Sequence, residues 1–134
     1  MYKTKLLLAG LLALALPFAA QATEVRLSVE QVIKGGLAAT YTGSLSGSNT
    51  YKVRNDGKVF LHFKKTSAGT CTVTITTPGT SQGLAISDQT ITVPASTGDK
   101  FIGPLPMALF NDSASDVSFT LSDEEGLTVA VLRL

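Results

Sequence analysis

NDGKVFLHF, residues Asn55–Phe63, is the stretch that decides the fold, and TCTVTIT at Thr70–Thr76 continues it after a short polar turn. An Asp-Gly pair followed by aromatic and β-branched residues indicates a tight turn that leads into a strand. In the second segment apolar residues alternate with threonines, which is the period of a strand with one buried face. The pattern therefore predicts a sheet whose core positions are Val59, Leu61, Phe63, Cys71, Val73 and Ile75.

Similar short segments, about seven or eight in all and separated by turn residues, recur along the rest of the chain. This pattern predicts an all-β fold with a single β-sandwich or jelly-roll-like domain. Residues Ser122–Gly126 have the length and the glycine of a hairpin loop between the last two strands. We expect one short N-terminal helix at Ser28–Gly36, because Ser28 and Gln31 fit a capping box and a glycine follows.

The first residues have the pattern of a secretory signal peptide. Lys3 and Lys5 precede the apolar run Leu6–Leu16, and Ala20–Ala22 matches a small-residue cleavage site. We therefore expect a signal peptide at residues 1–22 and a mature β-sandwich domain at residues 23–134, with no integral membrane segment after cleavage. The alternative is a retained membrane anchor, although the apolar run is shorter than the ~20 residues that a spanning helix needs.

Composition and charge narrow the possible partners. The chain has 134 residues, of which 44% are hydrophobic and 16% charged, as expected for a globular protein. Without Lys3 and Lys5, nine basic residues stand against ten acidic ones, and this balance argues against nucleic acid as a partner. Cys71 is the sole cysteine, so we expect a buried thiol. The alternative is a reactive or intermolecularly paired thiol.

Residues that could carry chemistry are sparse. His62 is the sole histidine, which leaves a metal site of the His/Cys type with too few ligands and a Ser/His/Asp relay with one candidate base. It shares a strand face with Phe60 and Lys64, which predicts a solvated or hydrogen-bonded side chain. The acidic run Asp123–Glu125 lacks the spacing of a calcium loop and is expected to be a solvated loop tip. We therefore expect no catalytic residues, no cofactor and no metal site.

Two further features are candidate surfaces for binding. A row of threonines is either an ordinary exposed strand face or a flat surface for glycan or ice; it comprises Thr70, Thr72, Thr74, Thr76, Thr90 and Thr92. The segment Pro104–Phe110 is apolar without a helix or strand period, so it either plugs the end of the sandwich or docks a neighbouring subunit. With the last strand it gives a candidate interface of Pro104, Leu105, Pro106, Met107, Leu109, Phe110, Leu132 and Leu134.

Several stretches of the mature region together resemble small β-rich structural proteins that are associated with the heads of tailed bacteriophages and prophages. The stretches are Val29–Val32, Gly36–Leu37 and Tyr41, then Asn55–Lys64, Val73–Ile75 and Thr77–Thr80, and finally Thr92–Ala95, Phe101–Pro104, Pro106, Phe110–Asn111 and Thr128–Leu134. The resemblance implies a virion structural role on or near the capsid, without enzymatic activity and without catalytic residues.

The leader and the resemblance together predict a non-enzymatic, exported β-sandwich that acts by self-association or by binding a surface. Its partner is expected to be a second copy of the chain or a virion or cell-surface protein. The expected location is secreted, periplasmic or at the cell surface of a bacterium, with the virion as the alternative. Two other functions remain open: a secreted glycan- or ligand-binding module, which requires surface aromatic residues, and a hydrolase, which would depend on His62.

Overall fold

The computed structural model of the protein describes residues 21–134, which are built mainly from strands. Residues 1–20 of the expected signal peptide, which include the first residue of the expected cleavage site, lie outside the described residues. In chain order the elements are β1 (Glu24–Leu27), β2 (Glu30–Gln31), β3 (Thr50–Arg54), β4 (Val59–Lys65), β5 (Cys71–Ile75), β6 (Thr80–Ser81), β7 (Leu84–Ala85), β8 (Gln89–Val93), β9 (Gly98–Ile102), α1 (Met107–Phe110), β10 (Asp116–Leu121) and β11 (Leu127–Arg133).

The strands form two mixed sheets that pack against each other. Sheet A has the order β1-β3-β10-β5-β8, and sheet B has the order β2-β11-β4-β9. In each sheet one N-terminal strand is parallel to its neighbour, since β1 runs parallel to β3 and β2 runs parallel to β11, and the other pairings are antiparallel. Strands β6 and β7 form a separate small hairpin. The mostly-β class predicted from the sequence is confirmed.

One hydrophobic core lies between the two sheets. Its members include the six positions predicted from the sequence, which are Val59, Leu61, Phe63, Cys71, Val73 and Ile75. Phe63 of sheet B meets Phe119 of sheet A edge to face, with ring centroids 5.7 Å apart, and Tyr51 stacks on Phe119 at 5.3 Å. The Cys71 thiol is free and fully buried in this core, as expected. The alternation of apolar residues along β4 and β5 therefore sets which sheet face is inside.

The predicted helix at Ser28–Gly36 is wrong. The segment instead forms β2, whose Glu30 and Gln31 pair with Leu132 and Arg133 of β11. A turn follows, in which the backbone N–H of Gly36 donates to the carbonyl of Ile33 at 3.0 Å. A helix of about two turns is marginal by itself, so pairing with a central strand satisfies the same backbone groups better. The single short helix of the described residues is α1, near the C-terminal end, and it directly follows Pro106.

The predicted hairpin at the C-terminal end is also wrong. Strand β10 lies in sheet A and β11 lies in sheet B, so Ser122–Gly126 crosses from one sheet to the other. The Asp-Gly turn before β4 makes the same kind of crossing, because β3 belongs to sheet A. That turn itself forms as predicted: the side chain of Asn55 accepts the N–H of Gly57 at 3.0 Å, and Gly57 has a φ of +85°. A short turn at the end of two packed sheets can therefore connect strands that face each other in different sheets, as well as neighbouring strands of one sheet.

Candidate functional site

The outer face of sheet B carries a cluster of aromatic and polar side chains. On β4, Phe60, His62 and Lys64 alternate with the core residues and therefore point away from sheet A. The strand register places His62 opposite Phe101 of β9 and opposite Ala130 of β11. This face is thus assembled from three adjacent strands of sheet B.

His62 lies at the centre of this face and is hydrogen-bonded rather than solvated. It is only 6% exposed. Its Nδ1 lies 2.6 Å from the hydroxyl oxygen of Tyr41, and its Nε2 lies 2.6 Å from Oδ1 of Asp99. The ring of Phe101 stacks on the imidazole with centroids 3.8 Å apart and planes 9° apart. The sequence predicted a solvated or hydrogen-bonded strand histidine, and His62 is the hydrogen-bonded form.

Tyr41 reaches His62 because the residue that follows it, Thr42, is tied to the edge of β11. The backbone of Thr42 exchanges two hydrogen bonds with that of Val129, at 2.8 and 3.0 Å. The ammonium group of Lys64 lies 4.6 Å from the centroid of the Tyr41 ring, within the range of a cation–π interaction. We call Tyr41, His62, Lys64, Asp99 and Phe101 the histidine cluster.

The histidine cluster combines a hydrogen-bonded chain with an exposed apolar ring. Tyr41, His62 and Asp99 are linked in a row, an arrangement in which a histidine is oriented by a carboxylate on one side and meets a hydroxyl on the other. Phe101 remains 63% exposed although it is stacked on His62. Such a ring, flanked by Asp99 and Lys64, offers one apolar face and two opposite charges to a ligand. Sequence reasoning missed Tyr41, Asp99 and Phe101, because no local spacing connects them to His62.

The residues predicted as an interface divide into two groups. Leu105, Phe110 and Leu132 are buried within the chain itself. These three side chains are therefore not exposed to a partner, contrary to the prediction. Met107 and Leu134 are 52% and 66% exposed, and the remaining predicted residues are also exposed; these are Pro104, Pro106 and Leu109. The apolar segment therefore both plugs the end of the core and presents apolar side chains to solvent.

Backbone hydrogen bonds bring these exposed residues to one end of sheet B. The N–H of Leu105 donates to the carbonyl oxygen of Val59 at 3.2 Å, and the N–H of Leu134 donates to the carbonyl oxygen of Lys58 at 3.4 Å. The N–H of Val32 donates to Arg133 at 2.8 Å, which brings Val32 and its exposed neighbour Ile33 to the same end. We call this set of exposed residues the apolar end; it comprises Val32, Ile33, Pro104, Pro106, Met107, Leu109 and Leu134.

A network of two asparagines holds the apolar end in place. The side-chain amide of the buried Asn55 donates to the carbonyl of Leu105 at 2.9 Å and to Oδ1 of Asn111 at 2.6 Å. Asn111 donates in return to the carbonyl of Asn55 at 3.0 Å. The N–H of Gly79 also donates to the carbonyl of Leu109 at 3.0 Å. Both ends of α1 are therefore anchored to the body of the protein.

The last C-terminal strand is not available for edge pairing. Strand β11 pairs with β4 on one side, and on the other side it pairs with β2 and with Thr42. The threonines predicted as a row do share the outer face of sheet A, where the register aligns Thr120, Thr74 and Thr90 across three strands and Thr72 with Thr92 across two. Threonine is a good strand former, so this alignment by itself indicates an ordinary outer face.

The acidic run is only partly a solvated loop tip. Asp123 lies 3.1 Å from the ammonium nitrogen of the buried Lys65 and accepts the N–H of Glu125 at 3.1 Å. These two contacts, the backbone hydrogen bond first, lower the pKa of Asp123. Residues 21–134 contain no group of three or more His, Cys, Asp or Glu side chains placed to hold a metal ion. None of the helices in this part of the chain is long and apolar enough to cross a membrane.

The fold and its outer surfaces define a mostly-β protein of two packed mixed sheets. Comparisons with protein-family models, with curated proteins and with solved structures gave no match. A functional assignment therefore depends on the two surfaces described above, the histidine cluster and the apolar end.

Proposed function

We propose that this protein is a non-enzymatic structural subunit, an exported β-sandwich that self-associates through the apolar end. The observation that carries the proposal is where the exposed apolar residues lie. Of the eight large hydrophobic residues exposed in the described part of the chain, five belong to the apolar end; they are Val32, Ile33, Met107, Leu109 and Leu134. Clustered apolar side chains on a protein surface usually mark a contact with another macromolecule.

The polar residues around the apolar end support a protein–protein contact. Arg133 donates from Nη1 to Asp56 at 2.8 Å and from Nε to Gln31 at 2.7 Å, and both partners lie beside the apolar end. An apolar centre with a hydrogen-bonded polar rim is the usual anatomy of an interface. The asparagine network adds support, because a contact surface that is already rigid loses little conformational entropy when it binds.

A second copy of the chain is the partner that we propose for this surface. The resemblance to structural proteins of phage heads favours assembly from identical subunits, and the expected signal peptide favours export to the periplasm, to the cell surface or out of the cell. A virion is the alternative location. The histidine cluster has no part in this contact; it orders the outer face of sheet B, where both ring nitrogens of His62 have partners at 2.6 Å and Phe101 covers one face of its ring.

The proposal is tested by measuring the mass of residues 23–134 in solution across a wide concentration range by sedimentation and light scattering. We expect reversible association that weakens in the double variant Met107→Lys/Leu134→Lys, because each ammonium group would be desolvated in the contact. The control is Ala68→Lys/Thr70→Lys, which adds the same charge in the exposed loop after β4, at the opposite end of that strand. A monomer at millimolar concentration that binds neither cells nor virions would count decisively against the proposal.

A glycan- or ligand-binding module is the second candidate function, and the exposure of Phe101 favours it. The sequence shows few surface aromatic residues, but Phe101 presents a ring face beside Asp99 and Lys64, and aromatic faces with flanking polar groups are common in ligand sites. Calorimetry with a panel of oligosaccharides tests this candidate. Binding that disappears in Phe101→Ala and persists in Phe60→Leu would support it, and an absence of heat with every sugar would eliminate this candidate for those ligands.

A further inference from the structure

The two sheets together have four lateral edges, and three of them are protected against pairing with another chain. Strand β2, at one edge of sheet B, is only two residues long. Strand β9, at its other edge, carries Asp99 and Lys100. Strand β1, at one edge of sheet A, carries Glu24 and Arg26 and borders a groove that Thr40 and Thr42 also line. Short length, charge and cover are the devices by which proteins prevent edge-to-edge association.

Strand β8, at the remaining edge of sheet A, has none of these devices. Its sequence, Gln-Thr-Ile-Thr-Val at Gln89–Val93, contains no charge and no proline over five residues. Strand β5 occupies one side of β8, and among the described residues no strand pairs with the other side. Gln89, Thr90 and Thr92 are exposed, and Ile91 is half-buried. β-Branched residues on an uncharged open edge favour the addition of another strand.

We propose that β8 is a self-pairing edge, which binds β8 of a second copy in an antiparallel arrangement centred on Ile91. The sequence is complementary to itself in this register. Thr90 would face Thr92 of the partner subunit, and Ile91 would face Ile91 of the partner subunit. No like charges meet, whereas a copy of β9 paired in the same way would place Lys100 against Lys100 of the partner subunit, which is destabilising.

The side chains that would meet across the new seam are of the types already paired within sheet A. Strand β5 places Thr72 opposite Thr92 and Thr74 opposite Thr90. Cross-strand threonine pairs are favourable. Pairing of β8 with its copy would place Thr90 of each subunit beside Thr92 of the other, so that the threonine rows of the two subunits become continuous. The result is one continuous ten-stranded sheet across two subunits, in which sheet A of each copy contributes five strands.

This inference rests on the proposed function and specifies its geometry. The β8 edge and the apolar end share no residue, so one subunit has two separate surfaces for identical neighbours. A single self-pairing surface closes as a dimer, whereas two surfaces that are used in alternation generate an open chain of subunits. The protein is therefore expected to form extended assemblies in which β8 contacts alternate with contacts through the apolar end.

Charge-swap variants of residues 23–134 test the seam. In Thr90→Lys/Thr92→Lys, lysines of the two copies oppose each other, and we expect the contact to weaken by about tenfold or more, with the loss reduced at high salt. Thr90→Glu/Thr92→Glu is expected to weaken it similarly. An equimolar mixture of the two variants places Lys against Glu, so it should restore association. The control with the same added charge is Ala68→Lys/Thr70→Lys, and circular dichroism checks that each variant is folded.

Hydrogen exchange provides a second measurement, on the unmodified protein. The amide groups of β8 that point away from β5 should exchange more slowly as protein concentration rises, whereas those of β9 should not change. If β8 exchange is independent of concentration and the mixture of variants does not restore association, the β8 seam is overturned. Loss of association only in Met107→Lys/Leu134→Lys would support the contact through the apolar end and overturn the β8 seam. Loss only in the β8 variants would support the seam and overturn the contact through the apolar end.

Discussion

The ammonium nitrogen of Lys65 lies 3.1 Å from Oδ2 of Asp123, although the Lys65 side chain is completely buried. The same nitrogen donates to the carbonyl of Glu125 at 2.6 Å and to the hydroxyl of Ser67 at 3.0 Å. These contacts join the end of β4 to the link that crosses between the two sheets. A buried ammonium group is tolerated because each of its three N–H groups has an acceptor.

Lys65→Ala is expected to lower the free energy of unfolding by about 2–4 kcal/mol, because it removes three hydrogen bonds and leaves a cavity in place of the buried stem. Urea denaturation of residues 23–134 measures this change. Lys64→Ala is the matched control. Lys64 is the exposed neighbour of Lys65, and its side chain contributes only a cation–π contact with Tyr41 of about 1 kcal/mol or less. Equal losses in the two variants would show that the buried contacts do not stabilise the crossing link.

Asn55→Ala is expected to lower the free energy of unfolding by about 2–3 kcal/mol, because it leaves buried partners of the asparagine network unsatisfied. The amide hydrogens of α1 should then exchange faster than in the unmodified protein, since the carbonyl of Leu105 loses its donor. Denaturation and hydrogen exchange together measure the two effects. Asn49→Ala, in the loop before β3, is the control. Unchanged exchange in α1 would contradict the anchoring role assigned to Asn55.

Acid is expected to weaken the protein through Asp116. This buried carboxylate accepts hydrogen bonds from Arg26, one of them at 2.8 Å, and these contacts lower its pKa. A carboxyl group with a lowered folded-state pKa contributes stability above its unfolded value of about 3.9, and this contribution is lost as the pH falls below that value. The urea concentration at the midpoint of unfolding should therefore decrease as the pH is lowered from about 4 to about 2. Asp116→Asn should be less stable at pH 7 and show a smaller fall, and an identical pH profile would refute the role of Asp116.

Gly98→Ala is expected to destabilise the protein by about 3 kcal/mol or more, because a Cβ at this position would clash with the carbonyl oxygen of Pro94 and lie 2.9 Å from Cγ1 of Val93. This strain falls on the corner between β8 and β9. Gly35→Ala is the matched control, since a Cβ there meets nothing within 4 Å, and its effect should be smaller than about 1 kcal/mol. Thermal unfolding of both variants measures the difference, and a small effect at Gly98 would show that the corner can relax.

The strands and the core could be predicted from the sequence because each depends on a local pattern. Alternation along β4 and β5 identified the buried apolar residues of both strands, but not the buried His62 and Lys65 of β4. Sheet membership could not be read in the same way. The links before β4 and after β10 have the residues of tight turns, but they join facing strands of two sheets, and that choice depends on the packing of the whole core.

The local signal failed where a distant partner supplied the decisive interaction. Ser28 and Gln31 satisfy the pattern of a helix start, yet β11, about a hundred residues later, provides hydrogen bonds that favour a strand. The histidine cluster is similar, because Tyr41 and Asp99 reach His62 from positions 21 and 37 residues away. Apolar character selected the exposed Met107 and Leu134 together with the buried Leu105, because hydrophobicity alone does not distinguish a surface position from a core position.

The parallel pairing of β1 with β3 and of β2 with β11 has a consequence for the order of folding. Only Ser28 and Val29 separate β1 from β2, yet the two strands add to different sheets. Strand β1 pairs with β3, which follows early in the chain, whereas β2 has no strand partner until β11 has been formed, and closing so long a loop is slow. Strand β2 is therefore expected to dock late, after a nucleus of antiparallel strands has formed, and its docking would add one more crossing of the chain between the two sheets.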